Sequence, residues 1–368
     1  MENIYVTRPF LPPKEEFDAY CEGIWQRDQL TNNGPLVQEL AEKLKEYFGA
    51  KQVNLMVNGH QALDVAIKGL GLSGEVITTP FTFASTTHAL TLNGIKPVFC
   101  DIRESDLTMD PDLIEPLITE RTTAIMPVHV YGHPCDVEKI GAIAKKHDLK
   151  VIYDAAHTFG AKKNGRALCC YGDVSMLSFH ATKLYHTIEG GALVYEDAGY
   201  TRLFNAYKNF GIEGEEHVDL IGGNAKMNEF QAAMGLANLP HVDDLIEERR
   251  QITLRYRELL ADRPGIRFFE PEKQPGVEHN YAYFPILIDA KKFGADRDEV
   301  YAKLKEQGIF TRRYFWPIVP DFGCYRAEHE KDALPVTRRA GDEVLCLPIY
   351  NGFGFEAIDR IVKKILEK

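Results

Sequence analysis

EVITTPFTFASTTHALTLNGIKPVFCD, residues 75–101, sets a short β-type run against a helical stretch and then a second apolar run. The alternation continues through TAIMPVHV (123–130), VEKIGAIAKKHD (137–148) and KVIYDAA (150–156). Runs of strand length separated by helical patterns define βαβ units, because parallel neighbours need a long crossover. The spacing predicts an α/β fold with a mostly parallel sheet, whose ligands collect at the carboxyl ends of its strands.

Upstream, LVQELAEKLKEYFGA (36–50) and QALDVAIKGLGL (61–72) read as amphipathic helices closed by glycine. Downstream, a helical pattern from about Asn228 to Leu260 is interrupted at Pro240 and then turns highly charged, as in a helix that bridges two units. After Pro264 the texture changes: HNYAYFPILI (279–288) alternates as a strand, DRDEVYAKLKEQG (296–308) is helical and EVLCLPI (343–349) is a further strand. The chain of 368 residues exceeds what one ordinary core serves. We therefore expect a large domain over 1–245, including the N-terminal segment, and a small α+β domain over 246–368. The first 30 or so residues are too few to fold alone and should pack onto one of the two.

Composition narrows the function classes. Apolar residues at 45% and charged residues at 26% describe a soluble globular chain. No run approaches the roughly 18 apolar residues of a membrane span. MENIYVTRPFLPP lacks the basic and apolar regions of a signal peptide, so a cytoplasmic location is expected. A net charge of −11 argues against nucleic-acid binding, which needs a basic face. Seven cysteines without framework spacing read as reduced thiols, and adjacent Cys169 and Cys170 as packing rather than a metal site. His129, His133, His180 and His186 also lack metal-type spacing, so no metal is expected.

Three local features carry chemistry. In MVNGHQALDVAIKGL (56–70), Gly59 opens a helix after an apolar run, where free backbone N–H groups suit a phosphate; a plain turn is the other reading. In VIYDAAHTFG (151–160), a strand runs into Asp154, whose carboxylate would need a cationic partner there unless it merely caps a turn. In GDVSMLSFHATKLYHTIEGGALV (172–194), Lys183 sits between apolar runs and ahead of a glycine pair. Partial burial lowers a lysine's pKa and makes its amine nucleophilic, although most loop lysines are solvated.

The order of glycine–helix, strand-end aspartate and loop lysine matches fold-type I pyridoxal-phosphate (PLP) enzymes. More narrowly, the chain resembles the DegT/DnrJ/EryC1/StrS sugar aminotransferase family from LTNNGPLVQELAEKL (30–44) to its C-terminal part. PFTFASTTHAL (80–90), MPVHVYGHPCD (126–136), DAAHTFGA (154–161), SFHATK (178–183) with EGGALV (189–194), and NAKMNEFQAAMGLANL (224–239) carry the likeness. The resemblance implies Lys183 as Schiff-base lysine and general acid/base, Asp154 on the pyridine nitrogen and His157 near the ring hydroxyl. It implies Phe83 stacked on the ring, with core packing as the other reading. The phosphate is expected on the backbone of Gly59, His60 and Gln61 with the Ser178 hydroxyl. Family members commonly read Gly-Thr-Ala where this chain has Gly59-His60-Gln61, which removes a threonine hydroxyl. Asn224 matches a residue that reaches the phosphate from a second subunit, so a homodimer with a shared site is implied.

By the same resemblance the substrates are L-glutamate and a nucleotide-diphosphate keto-sugar. SFHATK with EGG is more similar to members acting at C-4 than to C-3 members, which tend to read SFYPGKNLGALGD. The expected acceptor is dTDP-4-keto-6-deoxyglucose, in O-antigen or related lipopolysaccharide synthesis. Arg8, Lys208, Lys226, Arg312 and Arg313 are candidates for the diphosphate, and Tyr314 for the sugar pocket. Amination at C-3, or of another keto-sugar or cyclitol, stays open. A PLP-dependent sugar dehydratase is disfavoured because that group replaces the lysine by histidine. A noncatalytic regulatory protein is disfavoured by the joint presence of Asp154 and Lys183.

Overall fold

A computed structural model describes residues 3–329 and 332–367. Seven strands form the central sheet: β1 (Gln52–Met56), β2 (Glu75–Thr78), β3 (Lys96–Phe99), β4 (Thr122–Met126), β5 (Lys150–Asp154), β6 (Val174–Ser178) and β7 (Gly191–Tyr195). Their order is β1-β7-β6-β5-β4-β2-β3, with β3, β2, β4, β5 and β6 parallel and β7 antiparallel to both neighbours. The mostly parallel α/β sheet expected from the alternation is therefore present.

Both faces are covered, which is why the strands are apolar at successive positions. Successive side chains alternate sides, so Ala192 and Val194 enter one core while Leu193 and Tyr195 enter the other. On the first face lie α1 (Lys14–Arg27) and α2 (Pro35–Phe48), on the second α3 (Gly59–Gly69) and α4 (Ala84–Leu92), and α5 (Val137–Lys146) packs against Val151 and Tyr153. Cys169 and Cys170 are free buried thiols in the first core.

The long helical pattern divides as its proline dictates. After α6 (Thr201–Tyr207) come α7 (Glu229–Asn238), a turn Leu239–His241 around Pro240, and α8 (Val242–Leu260). Helix α8 begins in the large core with Val242 and ends in a second core with Ile252, Tyr256 and Leu260. That second core packs beneath an antiparallel sheet of β8 (Ile266–Phe268), β9 (Phe284–Ile288) and β10 (Val344–Leu347). The N-terminal Ile4–Tyr5 pairs in parallel with Ile309–Phe310.

One strand reading needs correction. Only Phe284–Ile288 of HNYAYFPILI is extended, and all five of its residues are buried. Asn280 instead donates to the carbonyls of His157 (2.7 Å) and Phe159 (2.9 Å), and Tyr281 has φ 52°. These contacts draw residues 279–283 out of the sheet and across the strand ends of the central seven-stranded sheet.

Glu229, on the first turn of α7, is fully buried and accepts from the N–H groups of Leu36 (3.1 Å) and Val37 (3.0 Å) at the start of α2. It satisfies donors that a helix N-terminus otherwise leaves open. Glu229→Ala should lower stability by about 2–4 kcal/mol, read as a fall in melting temperature. An unchanged melting curve would show that water replaces the carboxylate. Among the described residues, no helix is long and apolar enough to cross a membrane.

Candidate active site

The carboxyl ends of β5 and β6, the start of α3 and the segments around Tyr283 and Tyr314 enclose a cavity of about 460 Å³. Asp154, Ser178, Lys183, Gly59 and His60 all line it, so residues far apart in sequence meet where a parallel sheet gathers ligands. Ser178 ends β6, and the loop after it carries Lys183 back over the strand ends before Gly190–Gly191 begins the reversed β7. A side chain at Gly191 would place its Cβ 2.7 Å from the Asn58 carbonyl carbon and the Gly59 nitrogen, so glycine there lets α3 start directly against the sheet.

Lys183 is half-buried, and its Nζ donates to the Tyr283 hydroxyl at 3.2 Å. Burial lowers its pKa from the usual lysine value, with Asp154 and then Tyr314 opposing. The amine is therefore neutral more often than a solvated lysine, as a proton acceptor and nucleophile must be. The lysine loop is held by the N-terminal segment: the Thr7 hydroxyl donates to the Thr182 carbonyl (3.4 Å), and His186 Nε2 meets the Phe10 carbonyl at 2.6 Å.

Asp154 is buried, and its carboxylate accepts from the Thr86 hydroxyl (2.7 Å) and the Ala156 N–H (3.1 Å). Burial nevertheless raises its pKa above the ordinary carboxylate range, with those two hydrogen bonds and then Lys183 opposing. Such a carboxylate stays ionised when a cation meets it on the cavity side. A protonated pyridine ring nitrogen is a cation of that kind, so the donor set fits PLP.

The far end of the cavity suits the phosphate. Asn58 caps α3, and a Cβ on Gly59 would meet Met176 Sδ at 3.0 Å and Ser178 Cβ at 3.1 Å, so glycine keeps this corner open beside the Ser178 hydroxyl. His60 lines the cavity with Nδ1 2.8 Å from Ser85 Oγ. Gln61 is placed otherwise: its N–H is committed to the Asn58 side chain at 2.8 Å, and it is not among the lining residues. Phe83 is 62% exposed at the cavity rim, which removes the core-packing reading and leaves its ring available for stacking. His157 is buried, and its Nδ1 accepts from the Tyr131 N–H (3.0 Å), which leaves Nε2 to carry the proton.

The expected substrate cations are not gathered in this cavity. Tyr314 lines it, but Arg8 lies over the Tyr350 ring, and Arg313 pairs with Asp298 and stacks on Trp316. Arg312 is exposed on the same segment as Tyr314. Lys208 donates to Asn54 (2.6 Å), with a pKa drawn down to about 8 by burial and then by Lys226, which itself bonds Asn209. Asn224 is exposed and outside the cavity, beside Asn209 in a short bridge.

Sequence reasoning missed Thr86, Tyr283 and the Glu189 carboxylate, which stands 3.5 Å from His180 Nε2 in the cavity wall. Thr86 carried a faint signal, since PFTFASTTHAL places Thr82 and Thr86 one helical turn apart, and their hydroxyls meet at 2.8 Å. Among the described residues no three His, Cys, Asp or Glu side chains gather as metal ligands.

Four buried histidines, His157 in the cavity wall and three others, carry a pH consequence. Burial holds His129 down to about 3, and lowers His133, His157 and His279 as well. Each folded pKa lies below the unfolded value near 6.5, so the stability these groups contribute is complete above that pH. It is lost as pH falls, because the unfolded chain takes up protons first. The cofactor-free protein should lose stability between about pH 6.5 and 5.5, on the order of 1 kcal/mol for each histidine that stays neutral there, seen as a falling melting temperature. A flat profile would contradict this.

Fold and site together define a PLP-dependent enzyme in which a lysine amine and a buried carboxylate oppose each other across the cofactor cavity. The chain belongs to the DegT/DnrJ/EryC1/StrS aminotransferase family, whose model matches residues 13–366. It is 46% identical over 364 residues to the dTDP-4-amino-4,6-dideoxy-D-glucose transaminase of Shigella dysenteriae, covering 99% of this chain and 98% of that one. It is similar to DesI, whose crystal structure was determined in the presence of its TDP-sugar product, with TM-score 0.95, 34% identity, and coverage of 100% and 93%. It is also similar to NtdA of Bacillus subtilis with bound cofactor PMP, with TM-score 0.87, 27% identity, and coverage of 96% and 81%. The protein is an aminotransferase that uses PLP.

When bound, PLP supplies an electron-withdrawing ring that accepts the electron pair left as a substrate C–H bond breaks. The protein's own groups do the rest. Asp154 would keep the ring nitrogen protonated, the α3 N-terminus and Ser178 would hold the phosphate, and the Lys183 amine would take and return the proton at Nζ.

Proposed function

We propose that the protein transfers the amino group of L-glutamate to the C-4 keto carbon of dTDP-4-keto-6-deoxyglucose, giving the 4-amino-4,6-dideoxy sugar for O-antigen synthesis in the cytoplasm. The observation that carries this reading is the full-length 46% identity to the Shigella transaminase. The SFHATK and EGG segments, which border the cavity through His180, Lys183 and Glu189, support it. In this reading a homodimer completes the site. Asn224 reaches the phosphate of the neighbouring subunit, and Lys208 and Lys226 face that subunit's sugar diphosphate with Arg8, Arg312 and Arg313. The position of Asn224 outside its own cavity, on a stretch with exposed Phe210, Val218 and Ile221, supports the exchange.

Incubation with glutamate and dTDP-4-keto-6-deoxyglucose should give a product whose new amine is located at C-4 by NMR. An amine at C-3, or no turnover, would overturn the substrate assignment, and a monomer in sedimentation would overturn the shared site.

A further inference from the structure

Tyr283 is the one side chain that hydrogen-bonds the Lys183 amine among the described residues, and neither its motif nor the cofactor chemistry above accounts for it. It reaches the amine because residues 279–283 leave the sheet. Asn280 anchors the chain to the carbonyls of His157 and Phe159, and β9 starts only at Phe284. The Tyr283 ring rests against His157 with centroids 4.5 Å apart, and against Tyr131 (5.8 Å) and Tyr314 (6.1 Å). Three neighbouring rings thus fix where the hydroxyl points. It lines both the cofactor cavity and a small cleft behind it that Thr7 and Thr182 also border.

The lysine amine must do two things in each half-reaction. Once it is free, its lone pair accepts the proton lost from the amino donor's α-carbon and becomes –NH3+. It then gives that proton back at a different atom, with no net change in its own charge. In both states the flexible lysine stem must keep Nζ aimed at the same place. We infer that Tyr283 is the positioning residue for this cycle: its hydroxyl accepts from the ammonium and donates to the neutral amine, holding Lys183 over the reacting carbon in either protonation state. A phenol is suited to this because it is both donor and acceptor and remains un-ionised here. Burial raises the Tyr283 pKa, as do the nearby Cys346 and Asp154, and Arg249 on α8 is the opposing charge. Tyr283 therefore exchanges no proton itself. The inference rests on the aminotransferase chemistry and not on which keto-sugar is the acceptor.

Tyr283→Phe tests it, since the ring and its contacts remain and only the hydroxyl is lost. Single-turnover rates should be measured with unlabelled and α-deuterated glutamate on the cofactor-loaded variant, together with the rate at which cofactor-free protein captures PLP. We expect proton transfer to slow by about 10- to 100-fold, the cost typical of a misplaced reacting group. The glutamate KM should stay within about twofold, and the deuterium isotope effect should rise toward its full value as that step becomes limiting. Capture of PLP should slow as well, because the free amine is no longer held. A half-reaction rate within about twofold of the parent would overturn the proposal. So would a slower rate with a raised KM and an unchanged isotope effect, which would make Tyr283 a substrate contact. A matching melting temperature for the two proteins establishes that the comparison is of folded enzymes.

Discussion

Lys183→Ala should abolish transamination, with at least about a 10⁴-fold loss in the single-turnover rate with glutamate. The loss is large because one group serves both as covalent anchor and as proton carrier, and among the described residues no second amine lines the cavity. His180 and His157 border the cavity but are bound elsewhere, His180 to Thr182 and Glu189 and His157 to the Tyr131 backbone. The variant should also lack the near-visible band of lysine-bound PLP while still binding the cofactor through Asp154 and the α3 N-terminus. Measurable turnover at a tenth of the parent rate would show that another group carries the proton. The fold should be unaffected, since removing a half-buried amine whose pKa is depressed by burial relieves a desolvation cost.

Asp154 gives the second large effect, and its sign differs between the two forms of the protein. In the cofactor-free chain the carboxylate is buried with a pKa raised above the unfolded value, so its ionisation at neutral pH costs stability. Asp154→Asn removes that charge. The Ala156 N–H can still donate to the amide oxygen, and Thr86 can accept from the amide nitrogen. The cofactor-free variant should therefore melt at the same temperature as the parent or higher. With PLP the sign reverses, because the ring nitrogen loses its counter-ion. Removing one partner of a buried ion pair costs roughly 3–5 kcal/mol, which corresponds to a roughly 10²- to 10⁴-fold weaker cofactor affinity. Titration of both proteins with PLP, followed by melting of each form, separates the two effects. A variant that melts lower without cofactor and binds PLP unchanged would assign Asp154 to the fold alone.

These two residues were legible in the sequence for a common reason. Each stands where a strongly apolar run stops, and a charge in that position needs an explanation. The same logic found the Gly59 helix, and the alternation over 75–156 gave the sheet. Contacts between distant segments were not legible. Thr86 lies 68 residues from Asp154 and Tyr283 lies 100 from Lys183, and nothing local marks either as a partner. Tyr283 was further hidden because HNYAYFPILI alternates well enough to pass for strand, while the side chain that pulls it away, Asn280, makes its bonds to a loop more than 120 residues earlier. For Gln61 the missing piece was local: Asn58 was not read as a cap, so its claim on the Gln61 amide was overlooked. The basic residues around the substrate were judged singly, and side-chain partners such as Asn54 for Lys208 or Asp298 for Arg313 emerge only in the folded chain.

The pairing of Ile4–Tyr5 with Ile309–Phe310 bears on how the enzyme is made. A ribosome releases the first strand long before its partner exists, so the opening residues stay unpaired while the whole central sheet is synthesised and can begin to fold. Their docking brings Thr7 and Phe10 against the lysine loop, so that loop gains its last braces only after residues 309–310 have been translated. The cavity, which Tyr283 and Tyr314 also wall, and the braces of its reactive amine are thus both completed late in synthesis, when the first and the last thirds of the chain can meet.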